Sequence, residues 1–208
     1  MSQKDVGNKL PIYKLTAGKQ VEKYYDEWTK ENKYDQDMVD WNYSGPQETV
    51  DIFLKYNKKK SIKILDAGCG TGLVGIELKK KGFDNIDGAD FSKAMLELIP
   101  KNVYKNLFKI DLNNKLSIND KTYDAITCVG TFTFGHVNPP CLEEMIRICK
   151  KGSKICFTVN EGIYEKYGFD KKIKELEDNK CWKMLEFYKS NYIASKNVNA
   201  WLILAETI

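Results

Sequence analysis

Ile62-Lys63-Ile64-Leu65-Asp66-Ala67-Gly68-Cys69-Gly70-Thr71-Gly72 runs from an apolar, β-branched segment through an acid into a turn with glycine at alternate positions. Glycine admits positive φ and lets the main chain approach a ligand with no Cβ in the way. Leu73, Val74, Ile76 and Leu78 follow at helical spacing, so the turn opens into a helix. Free N–H groups and a partial positive charge at that helix start then face whatever the loop holds. Three downstream features turn this turn into half of a nucleotide site. Asp90 ends a second run, 85–90, and stands 18 residues past Gly72, where a carboxylate accepts both hydroxyls of a ribose. Asp111-Leu112 closes a third run, 104–110; a carboxylate there can accept from an adenine amine while a neighbouring N–H reaches a ring nitrogen. A fourth run, Tyr123 to Val129, ends at Gly130-Thr131-Phe132. All four lie at the carboxyl ends of strands, where open α/β sheets bind ligands.

Working outward, the runs alternate with helical patterns. Strands are expected at 62–67, 85–90, 104–110, 123–129 and 154–159, and helices at 71–81, 92–99 and 140–150. Alternation of this kind implies a parallel sheet with right-handed crossovers. Gly152 is read as the C-cap of the 140–150 helix. A helix over 162–180 and runs at 183–193 and 198–207 would complete the sheet; an aromatic-rich helix is expected at 19–31 and a second helix, with Val50, Phe53 and Leu54 on one face, at 47–57. Residues 1–18 carry Gly7, Pro11 and Gly18 without a period and read as a flexible tail. The remainder, 19–208, reads as one domain: a helical lid (19–57), a cofactor-binding core (60–160) and a closing helix with strands (161–208).

Composition narrows the partners. The 208 residues are 42% hydrophobic and 30% charged, ordinary for a soluble protein. No apolar run approaches the roughly 18 residues needed to span a bilayer, and the N-terminus lacks a signal-peptide pattern. A cytoplasmic protein with no membrane partner is the expectation. The net charge of +4 rests almost wholly on lysine, with Arg147 the single arginine. Nucleic-acid readers lean on arginine for bidentate contacts, so a polynucleotide substrate is disfavoured. The six cysteines form no Cys-x-x-Cys pair and read as buried thiols, with no metal site.

The motifs Leu65-Asp66-Ala67-Gly68-Cys69-Gly70-Thr71-Gly72, Asp90-Phe91-Ser92 with Met95-Leu96, Asp111-Leu112, and Tyr123-Asp124-Ala125-Ile126 together resemble those of class I S-adenosylmethionine-dependent methyltransferases. Within that superfamily, Tyr24-Tyr25-Asp26-Glu27-Trp28, Tyr34-Asp35-Gln36-Asp37 and Tyr43-Ser44-Gly45-Pro46 are similar to the Williams–Beuren-region methyltransferase-like group. The resemblance implies a doubly wound, Rossmann-like, seven-stranded, mostly parallel sheet whose last two strands form a hairpin, one of them antiparallel. It implies S-adenosylmethionine as cofactor and S-adenosylhomocysteine as product. Gly68 and Gly70 would then line the methionine part, Asp90 the ribose, and Met95, Asp111 and Leu112 the adenine. Asp66 would hold the glycine loop and the cofactor's amino group; Phe91 and Thr131 complete the core set, with Tyr25, Trp28 and Tyr34 from the lid. Phe91 departs from the smaller aliphatic residue common at its position.

Methyl transfer from a sulfonium needs acceptor, carbon and sulfur in line and water kept out; alignment alone can supply about 7–11 kcal/mol of the barrier. A general base is needed only where the acceptor must lose a proton early. His136, the only histidine, lies six residues past Gly130 and is the candidate base; the bland alternative is a ring that braces its loop. Trp41, Tyr43, His136 and Glu161 are the candidate acceptor-binding residues. Aromatic faces near the N-terminus suit a lid over a cation. Asn138-Pro139-Pro140 resembles the motif of amino-methylating enzymes, yet it stands nine residues past Val129 and reads as the start of the next helix. The leading expectation is a methyltransferase acting on a small molecule. A protein or peptide methyltransferase, or a non-catalytic subunit that activates a partner protein, remain the alternatives.

Overall fold

The computed structural model describes residues 7–15 and 18–208. A short 3-10 turn (Pro11–Lys14) precedes α1 (Gly18–Trp28), α2 (Lys33–Asp40) and α3 (Gly45–Tyr56). Strands and helices then alternate as β1 (Ile64–Ala67), α4 (Leu73–Lys80), β2 (Ile86–Asp90), α5 (Lys93–Leu98), β3 (Leu107–Lys109) and β4 (Tyr123–Phe132). The chain closes with α6 (Cys141–Ile148), β5 (Cys149–Asn160), α7 (Phe169–Asp178), β6 (Trp182–Ile193) and β7 (Val198–Thr207).

Seven strands form one sheet in the order β3-β2-β1-β4-β5-β7-β6. β1 to β5 pair in parallel, and β7 runs antiparallel to both β5 and β6. The expected closing hairpin is therefore present. Every residue of β1 is buried, as are most of β4 and the second half of β5. Burial on both faces is what helices packed on either side of a parallel sheet require. Strand order reverses between β1 and β4, and a ligand crevice opens at such a point.

Several boundaries differ from the periodicity reading, each for a local reason. The 19–31 helix stops at Trp28; Glu31 and Asn32 take φ of 54° and 59°, and the chain restarts as α2, which sequence periodicity does not indicate. The 162–180 helix begins only at Phe169, after Gly168 at φ +78°. α6 ends at Ile148, and Gly152 lies inside β5 rather than capping a helix. Residues 1–6, 16 and 17 of the expected tail lie outside the described residues. Residues 7–15 correct that expectation: Leu10, Ile12 and Tyr13 are buried in the main core, and Asn160 donates to the Gly7 carbonyl at 3.1 Å. Three apolar side chains without a regular spacing act as a plug against the end of β5.

The connection between β3 and β4 is held by Arg147 of α6. Its guanidinium donates to the Leu116 and Ile118 carbonyls at 3.0 and 2.9 Å and pairs with Asp120 and Glu144 at 2.6 and 2.7 Å. Glu144 also accepts from the Leu116 N–H, and its carboxyl is depressed to about 2, first by the Arg147 hydrogen bond. Among the described residues no helix is long and apolar enough to cross a membrane.

Candidate active site

The site grows from the turn after β1. Gly68, Gly70 and Gly72 all take positive φ (73°, 53° and 93°), bending the chain back between β1 and α4. At Gly68 no other residue fits, because a Cβ there would overlap the Thr131 hydroxyl. At Gly70 a Cβ would meet no protein atom within 4 Å, so the missing side chain leaves open space in front of the loop. Asp90 fastens the turn from β2: its two carboxylate oxygens accept from the Gly70 and Ser92 N–H groups, each at 2.8 Å. Burial raises the Asp90 carboxyl above the usual carboxylate range, with those hydrogen bonds pulling the other way. Ser92 in turn caps α5 by accepting from Met95 N–H at 3.2 Å.

In front of this turn lies a cavity of about 130 Å³. Gly68, Gly70, Asp90, Phe91 and Met95 line one side, and Asp111 and Leu112, beyond β3, a second. Thr131 and His136 contribute from the end of β4 and its loop, and Tyr25 and Tyr34 close over from α1 and α2. These eleven of the sequence-derived site residues thus meet in one place. Among the described residues the only charged side chains on the lining are Asp90 and Asp111. No group of three or more histidine, cysteine or acidic residues gathers there or elsewhere among them.

Five expected site residues stand elsewhere. Asp66 is buried behind the loop, where Tyr104 and Thr127 hydroxyls donate to its two oxygens at 2.6 and 2.9 Å. Burial pushes its carboxyl up to about 6. It is bonded to Tyr104 and Thr127 rather than to the glycines of the turn, and it shows no face to the cavity. Trp28 is packed among Tyr25, Tyr34 and Trp41, with its indole N–H on Asp37 at 2.7 Å. Trp41 lies under Lys196, and Tyr43 packs edge-on to Tyr192, their hydroxyls 3.3 Å apart. Glu161 is occupied by Lys189 at 2.7 Å and Asn199 at 3.0 Å. Aromatic residue counts cannot separate rings that face a ligand from rings that hold the ligand-facing ones. Conversely, Val21, Asn113, Gly130 and Gly135 line the cavity without having been expected there. Asn113 had a signal, two residues past Asp111; Val21, an apolar residue on an exposed helix, had none.

His136 is fixed at both nitrogens. Nδ1 lies 2.7 Å from the Phe134 carbonyl and 3.0 Å from the Thr133 hydroxyl, and Nε2 lies 2.9 Å from the Tyr25 hydroxyl. Burial lowers its pKa below the usual imidazole value, partly opposed by the Phe134 carbonyl. Asn113 ties this loop to the end of β3, donating to the His136 carbonyl at 3.0 Å and accepting from Asn138 N–H at 3.0 Å. The N-terminal cover is also latched to the glycine turn: the Thr71 hydroxyl donates to Asp35 at 2.6 Å.

Comparison with known proteins agrees with this geometry. Residues 64–152 match the family model described as a methyltransferase domain. Human methyltransferase-like protein 27 is 31% identical over 169 residues, which cover 78% of this chain and 68% of that one. Ribosomal protein L11 methyltransferase of Thermotoga neapolitana is 27% identical over 137 residues, 65% of this chain and about half (49%) of the relative. Among solved structures, magnesium protoporphyrin IX methyltransferase of Synechocystis, with S-adenosylmethionine bound, superimposes with a TM-score of 0.64 at 12% identity, covering 90% and 97% of the two chains. That last likeness concerns fold alone. The glycine turn, the acids at the ends of β2 and β3, and the relationship to the human protein lead to one conclusion: the chain belongs to the class I S-adenosylmethionine-dependent methyltransferases, in the methyltransferase-like protein 27 family.

Proposed function

We propose that this cavity binds S-adenosylmethionine and that the acceptor is a small molecule. The observation that carries the reading is that Tyr25 and Tyr34 of the N-terminal helices roof the same cavity that the glycine turn, Asp90 and Asp111 line. The residues present suit the cofactor: open space before Gly70 for the amino-acid part, a carboxylate at Asp90 for the ribose hydroxyls, and Met95 and Leu112 as apolar walls for the adenine. Asp111 would accept from the adenine amine, and Phe91 and Thr131 complete the walls. When bound, the sulfonium supplies an electrophilic methyl carbon with its leaving group already in place. The chain's own part is to orient the acceptor, exclude water and, through His136, take up a proton where the acceptor carries one.

No lysine or arginine stands on the described lining, so the only positive charge an acceptor would meet there is the sulfonium itself. That favours an uncharged small molecule. The relatives point both ways, one named for a ribosomal protein and another for ubiquinone biosynthesis. A methyl-labelled cofactor incubated with the protein and a metabolite extract separates the readings. Label in the small-molecule fraction supports the proposal, and label only in added protein overturns the acceptor class. No binding heat on titrating S-adenosylmethionine into the folded chain overturns the cofactor assignment.

A further inference from the structure

The Phe134 carbonyl can only accept, so the His136 nitrogen 2.7 Å from it, Nδ1, carries the ring proton. In the neutral ring Nε2 is then a lone pair, and the Tyr25 hydroxyl 2.9 Å away must be its donor. Tyr25 comes from α1 and His136 from the loop after β4, 111 residues apart, and both face the cavity beside Thr131. We propose that Tyr25 and His136 form a two-member proton relay, its outer member supplied by α1, for an acceptor whose reacting oxygen or nitrogen bears a proton. The proposal rests on the cofactor reading above.

In the step itself the acceptor's lone pair forms the bond to the methyl carbon, and the carbon–sulfur pair passes to sulfur, leaving a neutral thioether. The acceptor's proton moves to the Tyr25 oxygen as the Tyr25 proton moves to Nε2. The resulting imidazolium returns its proton to solvent after the product leaves. Two features of the site set the resting state of the relay. Burial holds the His136 ring neutral, so its lone pair is available. Burial, with the neighbouring Tyr34 hydroxyl, holds the Tyr25 hydroxyl protonated, so Tyr25 passes protons on without ionising. The Phe134 carbonyl, which accepts from Nδ1, then fixes the tautomer that the relay needs.

Because the sequence holds one histidine, imidazole nitrogen spectra of the 15N-labelled protein report His136 alone. The spectra are recorded near pH 7.5, free and with S-adenosylhomocysteine, alongside calorimetry of the same titration. The relay requires Nδ1 protonated and Nε2 bare. Tyr25→Phe, with its backbone spectrum otherwise kept, must move the Nε2 signal toward that of an unbonded pyridine-type nitrogen. A proton on Nε2, a charged ring, or an unmoved signal in folded Tyr25→Phe overturns the relay while binding heat still supports the cofactor reading. Absence of heat overturns the cofactor reading and the relay's reaction with it. If Tyr25→Phe does not fold, the tautomer of the unaltered protein still decides.

Discussion

Replacing Asp90 with alanine removes the acceptor for two main-chain donors, Gly70 and Ser92 N–H, each at 2.8 Å. A buried donor left without a partner costs about 1–3 kcal/mol, so two would cost about 2–6 kcal/mol. Gly70 borders the cavity, where water can reach its N–H, and that places the expected loss near the lower end, about 2–3 kcal/mol. The same change removes charge-assisted bonds to the ribose hydroxyls, each worth about 1.5–3 kcal/mol, so affinity for S-adenosylmethionine should fall at least tenfold. Asp90→Asn separates the two effects, since it keeps one oxygen for the turn but lacks the charge. Its stability should lie nearer the parent while its affinity falls. Urea unfolding supplies the first quantity and calorimetric titration the second. A folded alanine variant with stability within about 0.5 kcal/mol of the parent and undiminished affinity would refute the reasoning on both counts.

Gly68→Ala should destabilise the fold by at least about 2 kcal/mol in urea, since φ of +73° strains an L-residue and the new Cβ overlaps the Thr131 hydroxyl; a variant as stable as the parent would argue against the turn geometry. Asp66 titrates at about 6 in the fold against about 3.9 unfolded, so the folded state holds its proton more tightly. Its contribution is full below pH 4 and is lost as pH rises through 6, by on the order of 2–3 kcal/mol. His136, lowered in the fold, has the opposite sign in an adjoining window, so the measurement is the stability difference between parent and Asp66→Asn across pH 4–7. A flat difference counts against the assignment. Asp35→Ala cuts the link to the Thr71 hydroxyl and should speed amide exchange in 33–40 in the free protein, with the cofactor restoring protection; unchanged exchange would show that the contact does not latch the cover.

The parts of the fold that could be read in advance were those whose physics is local. Alternate glycines after Ile62–Ala67, an acid at the end of each of the next two strands, and helical spacing after Gly72 depend on neighbours a few residues away. α2 was not readable, because it follows two non-glycine residues at positive φ, Glu31 and Asn32, and buries only Met38. The plug at 7–15 was hidden for a similar reason, its buried residues having no period. Within the site, residue type gave no direction. Asp66 sits at a strand end like Asp90, yet one carboxylate is spent on Tyr104 and Thr127 behind the turn and the other fastens Gly70 at the cavity. Tyr25 and His136 carry no mutual signal in the sequence, and only the folded chain brings them together.

The chain relies on lysine for nearly all its positive charge, and its one arginine sits where a lysine could not serve. Four acceptors in different directions need a rigid fork with several donors. Residues 113–121 have no regular structure of their own, and each ordered residue forfeits about 1–2 kcal/mol of backbone freedom. That loop begins at Asn113, which holds the His136 loop in place. Substitutions at Arg147 would therefore surface as weak binding and slow turnover, and would be mistaken for site lesions although the guanidinium does not border the cavity. Chemical modification of the single arginine by phenylglyoxal offers the converse: a one-residue gauge of whether that loop, and with it the far wall of the site, is in order.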